Sequence, residues 1–202
     1  AGCRMSGHVR QRMIQGATEV LARRGLHATA FSEVLALTGA SRGSIYHHFP
    51  GGKAELVEAV LDDFSARLDD ALRALHGRSA AAVVDGALQM WRGKLMRNDC
   101  ESGCPVAAIT NAADSSRLLE RCQRAFSQWR DTISAALQAG GCAAPRASAF
   151  ATLLLASVQG AIVLARAGLS SPMNSTAMPP RMGNQMTRLS RGSSDSMVFL
   201  LP

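Results

Sequence analysis

Apolar residues return at helical spacing along most of the chain. Val9, Met13, Ala17, Val20 and Leu21 form one stripe, widened by Ile14. Arg23 and Arg24 fall in its last turn, and Gly25 can take the left-handed position beyond it, so a first helix is expected over about 9–24. Thr29 suits the N-cap of a short second helix over about 30–38, with Glu33 in its first turn and Gly39 at its end. Phe31, Val34, Leu35 and Leu37 are its apolar residues. Ser41 then caps a third helix over about 42–48. The piece from Thr29 to Phe49 reads as helix, tight glycine turn, helix.

After Pro50-Gly51-Gly52 a long helix is expected, its apolar face marked by Leu56, Val60, Leu61, Phe64, Leu68, Leu72 and Leu75 and its end by Gly77. Val83, Val84, Ala87, Leu88, Trp91 and Leu95 predict another over about 79–97. Residues 98–105 break the pattern, and a short helix fits about 105–112. Ser115 or Ser116 caps a helix over about 117–139 with Leu118, Leu119, Cys122, Phe126, Trp129, Ile133 and Leu137, stopped by Gly140-Gly141. The segment 146–167 is apolar nearly all round. Its uncharged run from Ala147 to Ala165 comes close to the roughly 20 residues of a membrane span. Ser148, Thr152, Ser157 and Gln159 interrupt it, and a helix buried inside a soluble protein is the expectation, with no membrane partner. From Ser170 onward Ser, Met, Pro and Asn dominate, which predicts an atypical, mostly irregular tail over 170–202 with at most one short helix near 183–190. No internal repeat and no convincing strand is visible, so the fold class is all-α.

Composition narrows the function classes. Hydrophobic residues make up 47% of the 202, which excludes disorder throughout. Aromatics are only 4%, and the abundant Ala and Leu favour helix over sheet. The formal charge is +7, and its place matters more than its size. Residues 1–60 hold 7 basic and 4 acidic groups, residues 61–165 hold 11 and 10, and residues 166–202 hold 4 and 1. The excess lies at the two ends, which argues against a DNA-coating protein that would be basic over its whole surface. Five cysteines at irregular spacing do not form a disulfide framework. No secretory core opens the chain, and residues 1–8 are expected as a flexible leader. The histidines and acids form no nucleophile, acid–base or phosphate-loop pattern, so neither catalytic residues nor a cofactor are expected.

A recognition helix needs a buried side and an outer side of short polar and basic groups. The third helix fits: Ile45 can face Val34 and Ala40, leaving Ser41, Arg42, Ser44, Tyr46, His47 and His48 outward. Arg42 can fork onto guanine or a phosphate, Tyr46 offers a hydroxyl and a flat face, and Lys53 can anchor the backbone. Thr29 through Leu56 resembles the DNA-binding domain of the TetR family of transcriptional regulators almost position for position. Threonine opens the second helix, Gly39 lies in the turn, and Gly43 lies inside the third helix, followed by Tyr46, His48, Phe49, Lys53 and Leu56. One departure stands out: three residues, Pro50, Gly51 and Gly52, separate Phe49 from Lys53 where the family usually has two. Together with Gly103-Cys104-Pro105-Val106-Ala107, this is similar to the LmrA/YxaF-like subgroup. The resemblance implies a homodimeric cytoplasmic repressor that sets this helix in the major groove of a pseudo-palindromic double-stranded DNA operator. It also implies a small-molecule effector that releases the DNA. The family's DNA contacts fall on Thr29, Ser41, Arg42, Gly43, Ser44, Tyr46, His47, His48 and Lys53. The implied division is a helix-turn-helix head over 9–52 and a helical ligand-binding and dimerisation domain over 53–169.

In that second domain Met90, Trp91, Met96, Ile109, Phe126, Trp129, Ile133 and Leu155 are soft or aromatic residues on helices that would enclose a pocket. Plain core packing is the competing reading for each. Trp91 and Trp129 are the better candidates because an indole N–H wants a partner. No charged constellation stands out, so a neutral or aromatic effector is expected. Cys100 and Cys104 lack the further ligands a zinc site needs, and no metal is expected. Cys104 before Pro105 reads instead as a structural residue at a helix start that could activate its thiol somewhat. In the segment 146–167, Ala147, Ala151, Ala156, Ser157, Gly160, Ala161 and Ala165 are small, which makes this helix the dimerisation candidate.

Overall fold

Three glycines set the course of the first 60 residues. Gly25 takes φ +81 and breaks the first helix, Gly39 takes φ +65 beyond the second, and Gly52 takes φ +70 as the first residue of the fourth. Each lies in the left-handed region that other residues enter only at a cost. The protein is described by a computed structural model covering residues 2–97 and 100–169. In chain order it holds α1 (Gly2–Ala28, broken at Gly25), α2 (Phe31–Thr38), α3 (Arg42–His48), α4 (Gly52–Arg73), α5 (Ala80–Arg97), α6 (Pro105–Thr110), α7 (Ser116–Ala139) and α8 (Ala144–Leu169). No strand occurs among the described residues, and the all-α class holds. The irregular tail expected over 170–202 lies outside them.

Two expectations at the start need correcting. The first helix opens at Gly2, so residues 2–8 continue it in place of a flexible leader. No proline interrupts that stretch, and extending an existing helix costs far less than starting one. Thr29 does not cap α2. Ala30 holds the N-cap position, and the Thr29 hydroxyl donates back to the Gly25 carbonyl at 2.8 Å. Ser41 caps α3 as expected, accepting from the Ser44 N–H at 3.3 Å. The additional residue before Lys53 is absorbed locally: the Gly52 N–H donates to the Phe49 carbonyl at 2.9 Å, and the Gly51 N–H to Glu55 Oε2 at 2.7 Å.

The core of the N-terminal unit collects Met13, Ala17, Leu21, Val34, Ile45, Phe49, Leu56 and Val60, all buried. Gly16 lets α1 and α2 close up, since a Cβ there would stand 2.6 Å from Thr38 Cγ2. Farther along, α7 is the hub and packs on α4, α5, α6 and α8. Its amphipathic stripe buries Cys122, Trp129, Ile133 and Leu137. The seam with α4 is pinned by Asp69, buried and hydrogen-bonded by Thr132 at 2.5 Å, Arg73 at 2.7 Å and Gln128 at 2.8 Å. Burial pushes the Asp69 carboxyl up, but these three donors together outweigh it and hold the group below the usual carboxylate range.

Along α8 the expected all-round burial does not occur. Ala147, Ala151, Leu154, Val158 and Ile162 are buried, on a helix that packs against α7 and α5. The outer face leaves Phe150 49%, Leu153 60%, Val163 63% and Leu164 73% exposed. The small residues divide accordingly: Ala147 and Ala151 lie inside, whereas Ala156, Ser157, Gly160 and Ala161 lie outside. By length and composition α8 could cross a membrane, with 22% of its most apolar window buried.

Candidate nucleic-acid interface and ligand cavity

The α3 surface follows from one buried residue. Ile45 is 2% exposed against Val34 and Phe49, and the helical period then turns its neighbours outward. Ser41, Arg42, Gly43, Tyr46 and His47 are exposed, and Ser44 and His48 half-buried. Tyr46 is 69% exposed, with its ring meeting the Phe31 edge at 6.5 Å between centroids. The His47 and His48 rings meet at 4.9 Å, and the Ser41 and Ser44 hydroxyls are 2.9 Å apart. Arg42 takes part in none of the described ion pairs. Gly43 has open space around the position of a Cβ, so packing within the chain does not require glycine there. Lys53, half-buried at the start of α4, donates to the His27 carbonyl at 3.3 Å. Thr29 stands apart from this surface. It is 2% exposed and its hydroxyl is committed to Gly25, so its geometry is that of a brace between α1 and α2.

The candidate ligand residues divide into three groups. Trp129 is fully buried, and its indole N–H already donates to the Ser65 carbonyl at 3.2 Å; Ile109 and Ile133 are buried with it. These three are core. Met90 and Trp91 line a cavity of about 380 Å³ between α4 and α5, together with Phe64, Leu68 and Lys94. Phe126 and Leu155 line a second hollow of about 360 Å³ between α7 and α8, which Gln159 also borders. Trp129 lies between the two, its ring edge-on to Phe64 at 6.1 Å and to Phe126 at 5.2 Å. Met96 is 68% exposed and lines neither. A wider cleft, about 1180 Å³, is bordered by Arg73, Glu120, Arg124 and Asp131, whose charged groups mark a solvated surface.

The domain interior is not free of charge. Lys94 places its ammonium over the Phe64 ring at 4.5 Å and near the Trp91 ring at 5.3 Å. Burial pulls its pKa below the ordinary lysine value. Periodicity held the signal, because Lys94 follows Val83, Ala87 and Trp91 on one side of α5. Cys104 also departs from expectation. Burial pushes its thiol up, and the backbone N–H groups of Ala107 and Val106 at the start of α6 pull it down by less. The thiol is therefore not activated.

Both units are tied together at one end. The Gly103 N–H donates to the Ala22 carbonyl at 2.8 Å, and Arg166 of α8 donates to the Arg23 carbonyl at 2.9 Å. Arg23 also pairs with Glu101 at 3.3 Å. A Cβ on Gly103 would sit 3.2 Å from Arg166 and 3.3 Å from the Ala22 carbonyl, so glycine permits this approach.

Residues 13–60 match the model of bacterial regulatory proteins of the tetR family, and residues 80–174 match that of the transcriptional regulator LmrA/YxaF-like C-terminal domain. An uncharacterised HTH-type transcriptional regulator of Mycobacterium tuberculosis is 34% identical over 164 residues, covering 78% of this chain and 84% of that one. The HTH-type transcriptional regulator LmrA of Bacillus subtilis is 27% identical, over 78% of this chain and 86% of its own. Among solved structures, the regulatory protein TetR of Rhodobacter sphaeroides superposes with a TM-score of 0.71 at 19% identity, covering 79% of this chain and 89% of that one. A TetR transcriptional regulator of Chloroflexus aurantiacus gives 0.64 at 26% identity, over 81% and 87%.

Proposed function

The chain belongs to the TetR family of bacterial transcriptional regulators, with an LmrA/YxaF-like C-terminal domain, and from that premise we propose that it is a ligand-responsive repressor acting as a dimer in the cytoplasm. Proteins of this family regulate transcription and are not enzymes. The observation that carries the reading is the outer face of α3, where Arg42 and Tyr46 project over a sealed Ile45. Such a face matches a major groove, with Arg42 reading guanine or clamping phosphate. Ser41, Ser44 and His48 add backbone contacts, Lys53 anchors the adjacent phosphate, and His47 fills a variable position beside them. Gly43 lets the helix approach DNA without a side chain in the way. Thr29 acts indirectly, by holding α2 beneath the reading helix.

The head spans 9–52, and the domain over 53–169 carries dimerisation and the effector. A second copy covers the apolar face of α8, where two helices with Ala156, Ser157 and Gly160 outward can pack closely. An aromatic effector enters the C-terminal domain at Met90, Trp91, Phe126 and Leu155. Its arrival reaches the head through the bonds from Gly103 and Arg166 to the end of α1, and this changes the spacing of the two heads on a pseudo-palindromic operator. The test is an anisotropy titration on the palindrome next to the gene. Arg42→Ala and Tyr46→Ala are each expected to lose about 1–3 kcal/mol of operator binding with an unchanged melting temperature. Unchanged binding by both variants would overturn the assignment.

A further inference from the structure

Lys94 stands where the α5 stripe calls for an apolar side chain. Its ammonium nitrogen is closed off from solvent and has no hydrogen-bond partner, and no carboxylate pairs with it among the described residues. The faces of Phe64 and Trp91 offset part of the cost of burying that charge. A buried cation normally has a carboxylate or several acceptors around it. Among the neighbouring ionisable groups only the Cys104 thiol would favour the ammonium, and burial keeps that thiol protonated. Arg67 and Arg97 both act against the charged amine. The cavity between α4 and α5 is bordered by these three cations and by no acidic residue.

The inner side of the same region is also rich in donors and poor in acceptors. Lys94 and Gln159 both lie near the buried Cys104 thiol. Gln159 Nε2 is itself buried without an acceptor. Aromatic rings surround this line of groups, from Phe64 and Trp91 through Trp129 to Phe126.

We propose that the α4–α5 cavity takes a flat aromatic molecule bearing an oxyanion, a carboxylate or an ionised phenol, with Lys94 as its counter-ion and Phe64 and Trp91 against its rings. The cavity volume of about 380 Å³ suits a molecule of two or three rings. The inference rests on the reading of this domain as the effector domain and adds the charge of the effector. Binding would supply the missing counter-charge to Lys94, so the ligand would be held more tightly than its apolar area alone provides.

The experiment uses the full chain and tryptophan fluorescence, which Trp91 makes sensitive to the site. The probes are 2-naphthoate against methyl 2-naphthoate, and 4-nitrophenolate against 4-nitroanisole, so that the carboxylate and phenolate sources are distinguished. The wild type is expected to bind at least one anion about ten-fold or more tightly than its neutral partner. Lys94→Met should erase that preference while keeping affinity for the neutral probe, and Lys94→Arg should retain part of it. Equal binding of anion and neutral partner by the wild type, or an undiminished preference in a folded Lys94→Met protein, would overturn the inference and leave the effector cavity standing. No binding of any of the four probes would overturn both. The wild-type comparison needs no variant, so it decides the matter even if Lys94→Met fails to fold.

Discussion

The two halves of the chain treat polar and apolar groups in opposite ways. In the head, Ile45, Phe49 and Val34 are sealed while Arg42, Tyr46 and His47 face water. In the C-terminal domain a lysine ammonium and a glutamine amide lie inside without partners, and Phe150, Leu153, Val163 and Leu164 lie outside. The head closes its core, apart from an exposed Leu37 and one unpartnered oxygen of Glu33, and offers a polar surface to something large and charged. The other half, as a single chain, has two vacant roles: an acceptor for its buried donors and a cover for its apolar helix face. A partner leaves its imprint as whatever the isolated chain fails to satisfy, and the imprint differs for DNA, for a second copy and for a small molecule.

The largest test of this contrast removes the packing that makes the head self-sufficient. Phe49→Ala deletes a fully buried ring at the end of α3, over which Arg10 of α1 lies at 5.0 Å. It is expected to cost about 3–5 kcal/mol by denaturant titration. A loss below 1 kcal/mol would show that the head is not closed around this ring. Next comes Leu153→Glu on α8. In an isolated chain this exposed position would tolerate a charge, whereas in a dimer the charge is buried and the interface loses about 2 kcal/mol or more. Sedimentation velocity should show monomers at concentrations where the wild type is dimeric, and an unshifted dimer would remove α8 as the interface.

The smallest effect concerns Asp69, a buried polar group of the C-terminal domain that is fully partnered. Its carboxyl is held below the ordinary range, so its contribution to stability is present above about pH 4 and is lost as the pH falls below that value. Asp69→Asn should cost roughly 1–3 kcal/mol at neutral pH and flatten the fall of melting temperature below about pH 4. An equally steep fall in the variant would show that other carboxylates control acid stability.

What was legible along the chain was local. Ser41 as a cap, Gly25 and Gly39 as helix ends, and the buried side of α3 all depend on neighbours within a few residues, and the structure reproduces each. Thr29 misled because a threonine before a helix has two local options. It can cap forward to α2 or bond back to Gly25, and the packing of α1 against α2 selects the second. Trp129 misled because its indole partner, the Ser65 carbonyl, lies 64 positions away in the chain. Lys94 was the reverse case: its place on the apolar stripe was in plain view, but a lysine on such a stripe can also reach solvent with its flexible stem.

The sequence by itself determined that the chain is helical, where most helices begin and end, and which face of α3 looks outward. Periodicity, capping and glycine conformation act over one or two turns and need no knowledge of the remainder of the fold. Only the tertiary structure decided that α8 is covered on one side alone, that Asp69 is satisfied and Lys94 is not, and that Gly103 and Arg166 join the second domain to the end of α1. Those outcomes depend on which helices become neighbours, and neighbours distant in the chain are chosen by the packing of the whole core.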